Sequence, residues 1–130
     1  MRTIKFRGKR VDNGEWVYGY LQKYQETHAS RLVICAVSVR TWRDALLYEV
    51  VPDTVGQFTG LLDKNGKEIY EGDVVNFDNY LQGRSYVEFD RGCFMVASHN
   101  YTTTLTYRVS LHTHIVGNIH DNPELMKQNE

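Results

Sequence analysis

The chain of 130 residues is long enough for one compact domain or two small subdomains with a buried core. Its apolar fraction of 42% excludes the composition of a disordered protein, and its fifteen basic and sixteen acidic side chains do not indicate a nucleic-acid-binding protein. The charges are unevenly placed, however: residues 1–50 hold nine basic and five acidic side chains, and residues 51–130 hold six and eleven.

The first elements in chain order are antiparallel strands. Residues 3–7 alternate apolar and basic side chains, the period-two pattern of a half-solvated strand. The elements that follow are a turn at residues 12–14, a strand at 16–21, a central strand at 31–39 that is β-branched on both faces, a helical turn or irregular loop at 40–47, and a strand at 48–51 that Pro52 limits.

The rest of the chain predicts hairpins and a final helix. After a strand at residues 57–62, Asn65 and Gly66 supply the two positive-φ positions of a tight turn. Asn122 is a good N-cap and Pro123 a good first helical residue, which predicts a helix at residues 122–127. Between them we predict a turn at 71–73, a hairpin of strands 86–89 and 93–97 with the three-residue loop 90–92, and one or two strands within 105–119.

Many short strands at this spacing predict a mainly β fold. We expect a small SH3-like barrel or two small β-barrel subdomains, with a short C-terminal helix. Residues 1–56 would form an N-terminal β subdomain with a variable insertion. Residues 57–130 would form an SH3-like barrel subdomain that ends in the short helix.

The sequence gives two indications of compartment. The opening MRTIKFRGKR lacks the apolar stretch of a signal peptide, and the longest apolar run, residues 32–37, is far shorter than the roughly 20 residues of a transmembrane helix. Cys35 and Cys93 lie in apolar, strand-like contexts, too far apart for a zinc knuckle or redox pair. We therefore expect a cytoplasmic protein with two buried, free thiols.

Four phrases of the sequence follow the pattern of one family: KFRGKRVDNGEWVYG, FTGLLDKNGKEIYEGDVV, YVEFDRGCFMV and IVGNIHDNPELM. In this order they cover most of the chain, which resembles the YopX-type proteins of phages and prophages. Residues 26–47 match nothing in that pattern. The resemblance implies a small, mostly β protein of phage or prophage origin, and it implies no catalytic residues.

Two groups of side chains could bind a metal, but each has a simpler explanation. His112 and His114 at i and i+2 would project from one face of a strand, with His120 and Asp121 as further ligands. Exposed strands commonly carry histidines, however. The acidic residues of the central turns could hold Mg²⁺ or act as acid and base, namely Asp63, Glu68, Glu71 and Asp73.

Hydrogen bonds from the turn backbone to these carboxylates explain their positions better than metal binding or acid–base catalysis does. The sequence also contains no G-x-S-x-G elbow and no glycine motif for nucleotide phosphates. We therefore predict no enzyme, no catalytic residue, no metal and no cofactor. The alternative function in a different class is that of a metal-dependent enzyme that uses His112 and His114.

Basic and aromatic side chains concentrate near the N-terminus, and the candidate binding residues are Arg7, Lys9, Trp16 and Tyr18. Small barrels bind single-stranded nucleic acid by stacking bases on aromatic side chains in a basic groove. The same aromatic residues could equally be sheet core.

We predict a non-enzymatic phage or prophage accessory protein that binds a macromolecule and has no membrane partner. The slightly negative net charge favours a protein partner, with single-stranded nucleic acid as the alternative. The uneven charge and open strand edges are compatible with a homo-oligomer.

Overall fold

The structure, a computed structural model, describes residues 2–25, 28–37, 45–77, 84–98 and 101–127. These residues form eleven strands and one α-helix, in the order β1 (Phe6–Lys9), β2 (Trp16–Gln25), β3 (Ser30–Val37), β4 (Ala45–Val50), β5 (Gly56–Leu62), β6 (Glu68–Tyr70), β7 (Asp73–Phe77), β8 (Arg84–Asp90), β9 (Cys93–Ala97), β10 (Thr102–Thr104), α1 (Tyr107–Ser110) and β11 (Thr113–Asn118). Short 3₁₀ helices lie at Pro52–Thr54 and Pro123–Met126.

The chain divides into two compact units, Met1–Phe58 and Thr59–Glu130. In the first unit the strand order is β4-β3-β2-β1, and the beginning of β5 pairs with β1. In the second unit the end of β5 lies beside β6, and a five-stranded sheet has the order β10-β9-β8-β7-β11.

The prediction of a mainly β fold is confirmed, whereas the SH3-like barrel is not. The two sheets are antiparallel and not closed. In the five-stranded sheet, closure would require β10 and β11 to pair. Instead, β10 and β11 lie at opposite ends of the sheet, and the chain between them forms α1.

The first unit begins with the predicted hairpin, in which β1 and β2 are antiparallel. The predicted central strand is also confirmed, since β3 lies between β2 and β4. Residues 40–44 of the predicted helical turn or loop lie outside the described residues, and residues 45–47 belong to β4. Gly8 allows β1 to approach Val50 closely, because a Cβ there would lie 3.0 Å from the Val50 Cβ.

Gly19 lies where β2 changes its partner strand. Residues up to Gly19 pair with β1, and pairing with β3 begins at Tyr20. Gly19 has a φ of 157°, and a Cβ on it would lie 2.1 Å from the carbonyl oxygen of Cys35. A real Cβ does not fit at that distance, so β3 can approach β2 this closely only because residue 19 is glycine.

The core of the second unit consists of five buried residues, Ile69, Val75, Val87, Val96 and Leu105. Five partly buried apolar residues pack against them, namely Leu61, Phe77, Phe94, Val109 and Ile115. The cluster draws on β5 to β9, α1 and β11. Its burial from water is therefore what holds the sheet and helix of this unit together.

The β8–β9 hairpin corrects two predictions. Asp90 pairs with Cys93, so the loop has two residues rather than three. Its residues Arg91 and Gly92 both have positive φ, 52° and 81°, as a type I′ turn requires. Cys35 is buried as predicted, but Cys93 is exposed because it begins β9 directly after this turn.

Candidate functional site

The four candidate binding residues of the sequence lie together on the first unit. Arg7 is opposite Tyr18 and Lys9 is opposite Trp16 in the β1–β2 ladder. Directly opposite residues of an antiparallel pair, and residues two apart on one strand, project to the same face. All four side chains therefore belong to one face of these two strands.

Trp16 is contacted by two cations on that face. The guanidinium carbon of Arg7 lies 4.6 Å from the centre of the Trp16 ring, and the Lys9 Nζ lies 5.8 Å from it. Cation–π contacts of this kind contribute about 0.5–2 kcal/mol each. Arg7 is only 6% exposed, so it supports Trp16 from within the protein and offers little charge to a ligand.

Exposed apolar side chains continue along the same face. Tyr18, Tyr20 and Tyr24 are 46%, 60% and 43% exposed. Leu47 is 56% exposed and shares a row with Tyr20, because both are in register with Cys35. We call these four side chains the tyrosine face. Exposed apolar side chains that lie together, rather than scattered singly, mark binding surfaces.

The acidic residues of the central turns have structural roles. Asp63 is buried, and one carboxylate oxygen accepts the N–H groups of Asn65 and Lys67, both at 2.9 Å. The other accepts the N–H of Ile115 on β11 at 3.1 Å. Asp73 is also buried and accepts the Tyr70 N–H at 2.7 Å. These hydrogen bonds give both carboxylates a structural role, and no catalytic or metal-binding role is needed to account for them.

The Asp63 bonds also define the turn that follows it. The prediction of two positive-φ positions is wrong, because in this turn Gly66 has a φ of 81° and Asn65 is not left-handed. The Asp63 and Lys67 backbones close a three-residue loop, in which the Asp63 N–H donates to the Lys67 carbonyl at 2.8 Å. Such a loop needs one left-handed residue, and the glycine supplies it.

The histidine pair does not lie on one strand. β11 begins at Thr113, and His112 belongs to the turn after α1, where its N–H donates to the Val109 carbonyl at 3.1 Å. The prediction that His112 and His114 share a strand face is therefore wrong. Among the described residues, no group of three His, Cys, Asp or Glu side chains could hold a metal ion.

The C-terminal motif GNIHDNPEL folds into a tight local turn. The Asn118 side-chain oxygen accepts the N–H groups of His120 and Asp121, at 3.0 and 2.9 Å. The predicted terminal helix is present as the 3₁₀ helix, but the Asn122 side chain does not cap it. That side chain instead accepts the Asn118 N–H at 3.3 Å. The motif thus consists of residues that build a turn.

Gly117 is the residue against which this turn packs. A Cβ at Gly117 would lie 2.5 Å from the Asn122 Oδ1 and 2.8 Å from the Leu125 Cδ1. We expect Gly117→Ala to push the terminal 3₁₀ helix away and to destabilise the protein by about 1–3 kcal/mol. Faster hydrogen exchange at residues 118–125 would confirm this, and an unchanged exchange pattern would contradict it. Gly66→Ala is the control, because a Cβ there meets nothing within 4 Å and only its turn is strained.

The described residues therefore form a mainly β protein of two small units, in which the central and C-terminal phrases of the sequence build turns and close contacts. The YopX protein family model matches residues 5–127, so the chain belongs to the YopX family. The crystal structure of protein EF1440 from Enterococcus faecalis is similar with a TM-score of 0.63 and 21% identity, over 98% of this chain and 100% of that chain. At this identity the likeness shows the fold alone.

No curated protein sequence matches the chain. Within the part of the chain that the structure describes, no helix has the length and apolar character needed to cross a membrane.

Proposed function

We propose that this YopX protein is a non-enzymatic accessory protein, encoded by a phage or prophage, that acts in the cytoplasm and binds a protein partner through the tyrosine face. One observation carries the proposal. Tyr18, Tyr20, Tyr24 and Leu47 expose 43–60% of their surface on one face of the first unit. Tyrosine is enriched at the centres of protein interfaces because it buries a large ring and retains a hydrogen-bonding hydroxyl.

A protein partner agrees with this surface better than nucleic acid does. Single-stranded nucleic acid would need a continuous run of accessible cations along the rings in order to neutralise successive phosphates. Arg7, the guanidinium closest to the Trp16 ring, is buried. Leu47 adds an exposed aliphatic side chain that offers no stacking surface to a base.

The proposal that the protein is not an enzyme is supported by the structural role of the carboxylates in the central motif. Asp63 and Asp73 would be the natural acid and base of the central motif, but both carboxylates accept backbone N–H groups. A carboxylate whose oxygens are occupied by backbone N–H groups is poorly placed to exchange protons with a substrate.

The double variant Tyr18→Ser/Tyr20→Ser tests the binding face. We expect it to retain at least tenfold less partner protein than the wild type when tagged protein is used to capture proteins from host extract, because central aromatic side chains dominate interface energy. Quantitative mass spectrometry of the captured proteins makes the measurement. Tyr107→Ser is the matched control, since Tyr107 is 68% exposed and lies on the second unit.

Two results would contradict the proposal. The double variant could capture the same proteins in the same amounts as the wild type. Alternatively, a fluorescent single-stranded oligonucleotide could bind the wild type at micromolar concentration and lose affinity steeply with salt, which would make nucleic acid the ligand.

A further inference from the structure

We infer that the partner of the tyrosine face presents an apolar centre between two acidic ends. This inference rests on the proposed function and specifies the chemistry of the surface that docks there. It follows from where the charged residues lie in the registers of β1 to β4. Complementary charge around an apolar centre is what determines the orientation of a docked protein.

Both ends of the face are basic. At one end Lys9 is opposite Trp16, and its Nζ lies 5.8 Å from the centre of that ring. At the other end Arg31 is opposite Tyr24, and the Arg31 residue is exposed. Each end thus combines one cation with one aromatic ring, an arrangement that accommodates a carboxylate beside an apolar group.

The distance between the ends defines the size of the partner. Trp16 and Tyr24 are both on β2, and a strand rises about 3.3 Å per residue, so the two ends lie about 26 Å apart. A standard interface of about 800 Å² per partner is roughly 30 Å across. The partner therefore covers both ends at once as a protein surface or a long peptide, which a small molecule cannot do.

Between its two ends the face exposes mostly apolar side chains, together with the polar Gln22 and one acidic position. Tyr18, Tyr20 and Leu47 form the apolar part, and the exposed Gln22 is in register with the buried Val33. Glu49 is in register with Val33 and is the acidic residue that the described registers of this face contain. A carboxylate of the partner is repelled at Glu49 and attracted at Lys9 and Arg31.

Charge-reversal variants test this arrangement. The probe is the purified polypeptide that wild-type protein captures and the Tyr18→Ser/Tyr20→Ser variant does not. We expect Arg31→Glu and Lys9→Glu each to lower the association rate constant three- to tenfold at 50 mM salt, and Glu49→Lys to raise it. The differences should shrink at 500 mM salt, because screening acts on charge steering. Biolayer interferometry measures the rates.

Lys23→Glu is the matched control, because Lys23 lies on β2 next to Tyr24 but on the opposite face, in register with Leu32. It should leave the association rate within a factor of two. Since Arg31 is exposed, Arg31→Glu is expected to fold, and circular dichroism verifies this for each variant.

Three outcomes overturn the inference. If Arg31→Glu and Lys9→Glu associate as fast as Lys23→Glu, the partner has no acidic ends, although the proposed function stands. If Glu49→Lys slows association, the charge pattern is the reverse of the inferred one. If no polypeptide is captured and a twenty-residue oligothymidine binds instead, the proposed function and this inference both fail.

Discussion

Replacing Gly19 by alanine is expected to unfold the first unit or to lower its free energy of unfolding by more than about 3 kcal/mol. The new Cβ would lie 2.1 Å from the Cys35 carbonyl oxygen and 2.8 Å from its carbonyl carbon. Both atoms are backbone in the β2–β3 ladder, so no side-chain rotation relieves the contact. Separating the strands would break the pairing that brings Tyr20 and Cys35 into one row.

Gly14→Ala provides the control for this prediction. Gly14 has a φ of 73° in the β1–β2 turn, but a Cβ there meets nothing within 4 Å. Alanine at residue 14 should therefore cost only the strain of a left-handed conformation, about 1–2 kcal/mol. Urea unfolding followed by circular dichroism compares the two variants. Equal losses of unfolding free energy in the two variants would show that the close approach of residue 19 to Cys35 does not affect stability.

Strong turn signals explain where sequence reasoning succeeded. The first turn was predictable because glycine supplies the positive φ and Asn13 accepts the N–H of Glu15 at 3.0 Å, both of which are local effects. Trp16 and Tyr18 could likewise be placed on one face of their strand, since period-two alternation depends only on neighbours along the strand. That Arg7 and Lys9 share this face depends on the register between β1 and β2.

The helix at residues 107–110 and the unclosed sheets were not predicted from the sequence, and the physical reason is the same for both. Both features depend on contacts between residues that are distant in sequence. The segment T-Y-R-V-S has a composition typical of a strand, yet residues 107–110 form α1. The Thr106 side chain caps this helix, and Val109 packs on the core of the second unit. Residue composition does not reveal that packing. Closure of a barrel likewise depends on which edge strands meet, and the pattern along each strand is the same whether or not they do.

The extent of the tyrosine face was missed for a related reason. Leu47 lay in a segment interpreted as a loop or helical turn, and only pairing with β3 brings it into the row of Tyr20. Residues 45–47 contain no β-branched or aromatic side chain, so composition gave no reason to extend the predicted strand back to Leu47. Tyr24 was excluded because the second strand was predicted to end at residue 21, whereas β2 continues to Gln25.

Replacing Asp63 by alanine is expected to lower the free energy of unfolding of the second unit by about 2–4 kcal/mol. The Asn65, Lys67 and Ile115 N–H groups would all lose their acceptor. The Ile115 bond joins the central turn to β11, 52 residues away in sequence, so its loss also loosens the edge of the sheet. Asp53→Ala is the control, because Asp53 is exposed and its removal should change stability by less than about 0.5 kcal/mol.

The pH dependence of stability separates the carboxylate charge from simple packing. Burial alone raises the pKa of Asp63, but the N–H donors of Lys67, Ile115 and Asn65 and the charge of Lys67 outweigh it, so the pKa lies below its ordinary value. A lowered pKa means that the stabilisation is fully present above the unfolded-state pKa of about 3.9 and is lost as pH falls through the folded-state value.

We therefore expect wild type and Asp63→Ala to differ most in unfolding free energy near pH 7 and to converge below about pH 4. Urea unfolding at pH 7, 5 and 3 measures the difference, with Asp53→Ala beside it to remove the effect of general acid destabilisation. A difference that is the same at pH 7 and pH 3 would show that the ionised carboxylate does not hold the turn to β11. The Asp63 side chain would then stabilise the protein independently of its charge.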